Sequence, residues 1–282
     1  VLTTVNKTNK TVMTQQVIKC TFLLLITAFL ASACGNKKND PHSIKVGIES
    51  GLEYKVAEVA KKVAKEKYGL NVELVQFNDY VMPNVALNEK DIDVNAYQHK
   101  PFLDVQSKER GYHFAILANT FVYPIAGYSK SIKSIAELKD GSTIVIPNDP
   151  TNEGRSLILL QKQGLLKLKD GVGILPNVTD IVSNPKQLKI VELEAPQLPR
   201  ALDDKNVAIA IINSNFAVQV GLMATRDGLF VEDKDSPYMN LIVSRVDNKD
   251  EEKVKTFIKA FQSAEVAAAA DSAFKGGAIK GW

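Results

Sequence analysis

Two rhythms alternate along the chain from residue 44 onward. IKVGI (44–48) is an apolar run of strand length. In YKVAEVAKKVAKEKYG (54–69), Val56, Val59, Ala60, Val63 and Ala64 recur at helical spacing, with lysines and glutamates on the opposite, solvated face. Gly69 closes that helix, and NVELVQF (71–77) supplies the next strand. A strand, helix and strand in this order predict parallel pairing. The pattern continues with a helix near 81–90, a short strand at 94–97, a helix near 101–110 and a β-like run, FAILANTFV (114–122).

A second set follows: strand IVIPN (144–148), helix RSLILLQKQGLL (155–166), strand KIVELE (189–194), helix PQLPRALDD (196–204) and the wholly apolar strand VAIAIIN (207–213). NLIVSRV (240–246) and a closing helical region, 251–274, come last. Two α/β sets predict two lobes, with crossovers near 124–130 and 236–243. We expect one lobe from 44–126 with 240–282 and the other from 127–239.

The beginning of the chain has a different character. CTFLLLITAFLASA (20–33), preceded by Lys19, is an apolar run of signal-peptide length, short for a membrane span. It ends in Ala31-Ser32-Ala33 before Cys34. A signal peptide over 1–33 is expected, with Met13 a plausible start; Cys34 is read as the lipidation site, although Ala31 stands where the usual lipoprotein box has leucine, the alternative being a soluble secreted protein with one free thiol. The polar segment GNKKNDPHS (35–43) then reads as a tether.

Without residues 1–33, Lys plus Arg falls from 35 by Lys7, Lys10 and Lys19, matching the 32 Asp plus Glu. A neutral body has no general attraction for nucleic acid. Cys20 and Cys34 are the two cysteines, so the body holds no disulfide framework.

The stretch PNDPTNEGR (147–155) joins a strand to a helix start, with Asp149 before Pro150 a candidate cap. From the residues alone, Arg155 is either half of a surface ion pair or a clamp for a carboxylate. Asn213 ends an apolar strand, where α/β sheets place ligand contacts, but Asn213-Ser214-Asn215 is also a turn-forming sequence. Tyr80, Tyr97, His99 and Phe102 fit either a ligand slot or ordinary core. The acidic run EDKD (232–235) lacks calcium-loop spacing and reads as a solvated loop.

The runs VAKEKYGLNVELVQFNDYVMPNVAL (63–87), NAYQHKPFLD (95–104), NTFVYPIAGYSK (119–130), PNDPTNEGRSLILLQKQGLLKLKDGVGILP (147–176) and SPYMNLIV (236–243) resemble the methionine-binding lipoproteins of bacterial ABC importers. The resemblance extends from Ile44 to the terminal GGAIKGW. It implies an α/β, two-lobed periplasmic substrate-binding fold with a ligand cleft between the lobes. It also implies a monomeric, lipid-anchored receptor in the cell envelope that passes methionine to a membrane permease driven by a cytoplasmic ATPase, without a cofactor.

On the same resemblance, Arg155, Asn213 and Asn240 contact the amino-acid backbone of the ligand, and Tyr80, Tyr97, His99 and Phe102 wall its side chain. Tyr97 and Phe102 exchange the phenylalanine and tyrosine common in the family, which moves a hydroxyl and leaves side-chain selectivity open. Phe77, Asn95, Phe121, Tyr123 and Asn152 lie in the same motifs as weaker candidates. Other readings remain: a receptor for another small amino acid or a methionine-containing dipeptide, or a ligand-free structural lipoprotein. No G-x-S-x-G turn points to a hydrolase, and only His99 and His113 fall in the body, too few for a zinc receptor.

Overall fold

The computed structural model describes residues 40–282. The stretch read as a signal peptide, Cys34 and most of the segment read as a tether fall outside the described residues.

The first unit is β1 (Ser43–Glu49), α1 (Leu52–Tyr68) and β2 (Asn71–Phe77), followed by α2 (Met82–Asn88), β3 (Val94–Asn95), α3 (Lys100–Arg110), β4 (Phe114–Asn119) and β5 (Phe121–Val122). β1 pairs in parallel with β2 and β3. Gly69 ends α1 at φ 68°, a left-handed conformation that costs glycine little, and its N–H caps the carbonyls of Ala64 and Lys65.

The second unit is β6 (Ala126–Tyr128), β7 (Thr143–Pro147), α4 (Pro150–Lys162), β8 (Lys167–Leu168), β9 (Ile181–Ser183), β10 (Lys189–Leu193), α5 (Leu198–Ala201), β11 (Val207–Ile212), α6 (Ser214–Gln219), α7 (Ala224–Asp227) and β12 (Phe230–Val231). Its five-stranded sheet runs β10-β7-β11-β6-β12, parallel through β11 and antiparallel from there to β6 and β12. Helix α4 begins at Pro150, ahead of the apolar run at 155–166, because Asp149, the candidate cap, accepts from the Asn152 N–H. The predicted helix at 196–204 shortens to a 3₁₀ turn and the single turn of α5.

The chain then returns through β13 (Leu241–Arg245), α8 (Glu252–Phe261), α9 (Ala264–Phe274) and β14 (Ile279–Lys280). β13 inserts antiparallel between β3 and β4, giving the first sheet the order β2-β1-β3-β13-β4. β14 pairs with β5. The closing helical region is two helices, because Ser263 caps a second start by accepting from the Val266 N–H.

Each sheet is covered on both faces, which is why its central strands read as unbroken apolar runs. In the first lobe, Ile44, Val46 and Ile48 pack with Val56 and Val63 of α1 and Phe257 of α8. Leu87, Ile92, Leu103 and Val243 fill another cluster. In the second, Ile144, Ile146, Ile209 and Ile211 pack with Leu157 and Leu160, while Val145, Ala210 and Ile212 join Leu198 and Phe216. Alternate residues of β7 and β11 thus feed opposite faces, as a period of two requires. The loops that follow β1, β3, β7 and β11 open at the carboxyl ends of parallel strands, the position where α/β sheets bind ligands.

Candidate ligand-binding cleft

All seven side chains singled out in the sequence, Tyr80, Tyr97, His99, Phe102, Arg155, Asn213 and Asn240, line one cavity. It encloses about 400 Å³ of atom-free space, its mouth included. The first lobe supplies Tyr80 after β2, Tyr97 and His99 after β3, Phe102 from α3, and Asn240 just before β13. The second supplies Arg155 from the second turn of α4 and Asn213 from the end of β11. Because β13 runs antiparallel to β3, its amino end meets the carboxyl end of β3.

Arg155 is buried, and its guanidinium is already partly engaged. Nε donates to Glu232 Oε1 at 2.9 Å, and Nη2 donates to Glu232 Oε2 and to the Tyr123 carbonyl. Its carbon lies 4.4 Å from the centre of the Tyr238 ring. The reading of residues 232–235 as a solvated loop is therefore corrected at Glu232, whose side chain is only 10 % exposed and which forms a fork with Arg155. Among the described residues, none hydrogen-bonds Nη1, which leaves that nitrogen for a ligand. Asp149 already occupies the α4 amino end, accepting from the Asn152 N–H and Nδ2.

The amides are held by relays. Asp149 accepts from Asn152 Nδ2 at 2.8 Å, and Asn152 Oδ1 accepts from Asn213 Nδ2 at 2.9 Å, so the Asn213 carbonyl is fixed by its far end and has no partner. Asn240 Nδ2 donates to the Tyr97 carbonyl at 2.8 Å, which directs its Oδ1 away from that bond.

His99 has a structural task as well as a place in the wall. Nδ1 accepts the Phe102 N–H at 3.2 Å and caps α3, so the ring proton belongs on Nε2, 3.5 Å from Asn152 Oδ1. Burial, with the Arg155 charge adding to it, pushes the imidazole down to about 3 and keeps it neutral.

Tyr80, Tyr97 and Phe102 form an aromatic corner with ring centres 5.9 to 6.3 Å apart. The Tyr97 hydroxyl donates to the Tyr80 carbonyl at 2.8 Å, so the hydroxyl moved onto this position is taken up by the protein. The Tyr80 hydroxyl crosses to the other lobe and donates to Asn215 Oδ1 at 2.6 Å.

Of the weaker candidates, Tyr123 and Asn152 line the cavity. Phe77 packs with the cluster around Ile92, Phe121 belongs to the main core, and Asn95 is held by Asn84 and Gln98. The pattern missed Glu53, Gln98, Ser214 and Asn215 on the wall. Ser214 and Asn215 lay beside Asn213 in the turn-forming triplet, but nothing in the periodicity marks Glu53 as buried. Among the described residues, no group of His, Cys, Asp or Glu is placed to hold a metal ion.

Residues 44–282 match the family model of the NlpA lipoproteins. The chain belongs to that family. It is 65% identical over 258 residues to the D-methionine-binding lipoprotein MetQ of Salmonella typhimurium, covering 92% of this chain and 95% of that one. Among solved structures, it is similar to the methionine-binding protein MetQ, with a TM-score of 0.85 and 67% identity over 86% of this chain and 99% of that chain. A nutrient-binding protein from Burkholderia cenocepacia bound to methionine gives a TM-score of 0.82 and 48% identity over 85% of this chain and the whole of the other. The two-lobed substrate-binding fold expected from the sequence is thus the fold of its relatives.

Proposed function

We propose that this protein is the substrate-binding lipoprotein of an ABC importer and captures methionine, in its L form, its D form or both, in the cleft between its lobes. The observation that carries this reading is the convergence, on one cavity, of the unengaged Nη1 of Arg155, the carbonyl of Asn213 and an aromatic corner. A guanidinium nitrogen takes one oxygen of a carboxylate, and side-chain amides complete the recognition of the amino-acid backbone. The thioether tail packs against ring edges of Tyr80, Tyr97 and Phe102, worth roughly 0.3 to 1.5 kcal/mol per contact. The methionine-binding relatives support the choice of methionine over other amino acids.

The mechanism is ligand-biased closure, with no bond made or broken. Methionine shifts the lobes toward a closed form to the extent that it binds that form better than the open one. The closed form then docks on a permease powered by a cytoplasmic ATPase. In this reading Cys34 carries the lipid that holds a monomeric body at the outer face of the cell membrane or in the periplasm.

Titration calorimetry on protein unfolded and refolded to strip carried ligand tests this, with L-methionine, D-methionine, glycyl-methionine, leucine and glutamine in parallel. Saturable heat with a methionine form alone is expected. Silence across the panel from folded protein would overturn it.

A further inference from the structure

The amino-acid reading leaves one group of side chains unused. Glu53, in the first turn of α1, is buried on the cavity wall, and its Oε2 has no partner. Glu49, at the carboxyl end of β1, is fully buried, and neither of its oxygens has a partner. Burying carboxyl oxygens without a hydrogen bond is unfavourable, so two such groups, one ending β1 and one opening α1, call for a physical reason.

A second acceptor points to the same ligand. Asn213, held on the wall of the other lobe, has an unpartnered and buried Oδ1. Next to these acceptors stand unengaged donors, Asn215 Nδ2 and Arg155 Nη1. Unmet acceptors and unmet donors around one cavity are the complement of a zwitterion. Methionine has a single hydrogen-bond-donating group, its ammonium, because the thioether and the carboxylate only accept.

We propose that Glu53, backed by Glu49, receives the α-ammonium group of the bound amino acid, with Asn213 Oδ1 as a second acceptor from the opposite lobe. This rests on the amino-acid reading above. Glu53 rather than Glu49 is the ionising partner for two reasons. It faces the cavity, and it stands at a helix amino end, where the dipole favours negative charge. Burial first, and then the charges of Glu53 and Asp79, raise Glu49 well above the usual carboxylate range, so of the two carboxyls it is the one that keeps a proton. Tyr80 and Tyr123 are the other titratable groups that feel Glu53, and burial keeps both hydroxyls protonated. Burial also pushes Glu53 up to about 8, which holds its proton at neutral pH until a cation is set against it.

The test compares methionine with 4-(methylsulfanyl)butanoate, the same molecule with hydrogen in place of the ammonium. Calorimetry is run on the parent, Glu53→Gln and Glu49→Gln. Glutamine keeps an acceptor oxygen but removes the charge. Glu53→Gln is expected to weaken methionine roughly 30-fold or more, the range for losing one side of a buried charged hydrogen bond, while changing the deaminated analogue less than about threefold. Equal losses on both ligands, or none on methionine, would overturn the assignment. If Glu53→Gln proves misfolded, Glu49→Gln decides: an intact preference for methionine supports Glu53 as the charged partner, and a lost preference overturns it. A parent that binds no methionine brings down the receptor reading itself, an outcome distinct from a parent that binds methionine while the variants match it.

Discussion

Arg155 and Glu232, 77 residues apart in sequence, meet in a buried fork in which Nε and Nη2 of the arginine are both committed to the glutamate. The carboxylate therefore does not compete with a ligand for the whole guanidinium. It holds the group by one edge and presents Nη1 to the cleft. Glu232→Gln is expected to keep the fold and lower methionine affinity roughly tenfold, because a neutral amide holds the guanidinium less firmly than a charged fork. Arg155→Ala removes the clamp and leaves Glu232 buried and unpaired, so it should reduce both affinity and stability, the latter by about 3 to 5 kcal/mol. Calorimetry and denaturant melts measure the two effects, and unchanged affinity in both variants would sink the clamp.

The Tyr80 hydroxyl bridges the lobes to Asn215 at 2.6 Å. Tyr80→Phe retains the ring and removes the bridge. A hydrogen bond of this kind contributes about 0.5 to 1.5 kcal/mol, so ligand release should quicken by roughly three- to tenfold. Stopped-flow measurement of association and dissociation decides the point. An effect confined to association would contradict a bond that forms after capture.

Two buried groups give the unliganded protein opposite pH dependences. Glu53 holds its proton more tightly in the fold, at about 8, than in the unfolded chain, near its ordinary 4.5. Its contribution is full below about 4.5 and is lost as the pH rises through 8. His99 is the reverse: at about 3 in the fold against 6.5 unfolded, its contribution is present above 6.5 and lost as the pH falls toward 3. Thermal melts should therefore show stability declining from pH 6 to pH 8.5, and the Glu49→Gln, Glu53→Gln double variant should flatten that limb. A parallel decline in the double variant would place the titration elsewhere.

Gly154 lets the second turn of α4 lie directly on the chain at 174–176. A Cβ there would stand 2.8 Å from the Ile174 carbonyl and 3.1 Å from Leu175 Cα. Gly154→Ala should thus destabilise by about 1 to 3 kcal/mol through overpacking, although alanine is the better helix former. It should also weaken ligand binding, since Arg155 is the next residue. A stabilised variant would show that segment 174–176 yields easily.

Periodicity revealed the strands and long helices because burial on one face or two leaves a direct mark on the order of residues. Val56, Val59 and Val63 announce α1, and the unbroken VAIAII run announces a strand covered on both sides. The first turn of α4, PTNE, is polar and carries no apolar stripe, so its start was legible only through Asp149 before Pro150 as a candidate cap. The seven cleft residues were reached through family resemblance; by their own patterns the four rings fit core, Arg155 a surface ion pair and Asn213 a turn equally well. Glu232 was misread as solvated and Glu53 was missed for the same physical reason. A carboxylate is written identically whether it meets water, a guanidinium 77 residues away or the end of a cavity, and only the folded chain distinguishes them.

Threading β13 between β3 and β4 also orders events in time. The strands of the second sheet, β6 to β12, occupy one continuous stretch, so that sheet is complete as soon as residue 231 has emerged from the ribosome or crossed a membrane. The first sheet, begun earlier, lacks a central strand until residues 241–245 arrive. A chain cut after residue 235 should accordingly show slow amide exchange in the second sheet alone. The lobe that starts the protein is the last to be finished, and so is the cleft, because Asn240 arrives with the same late strand.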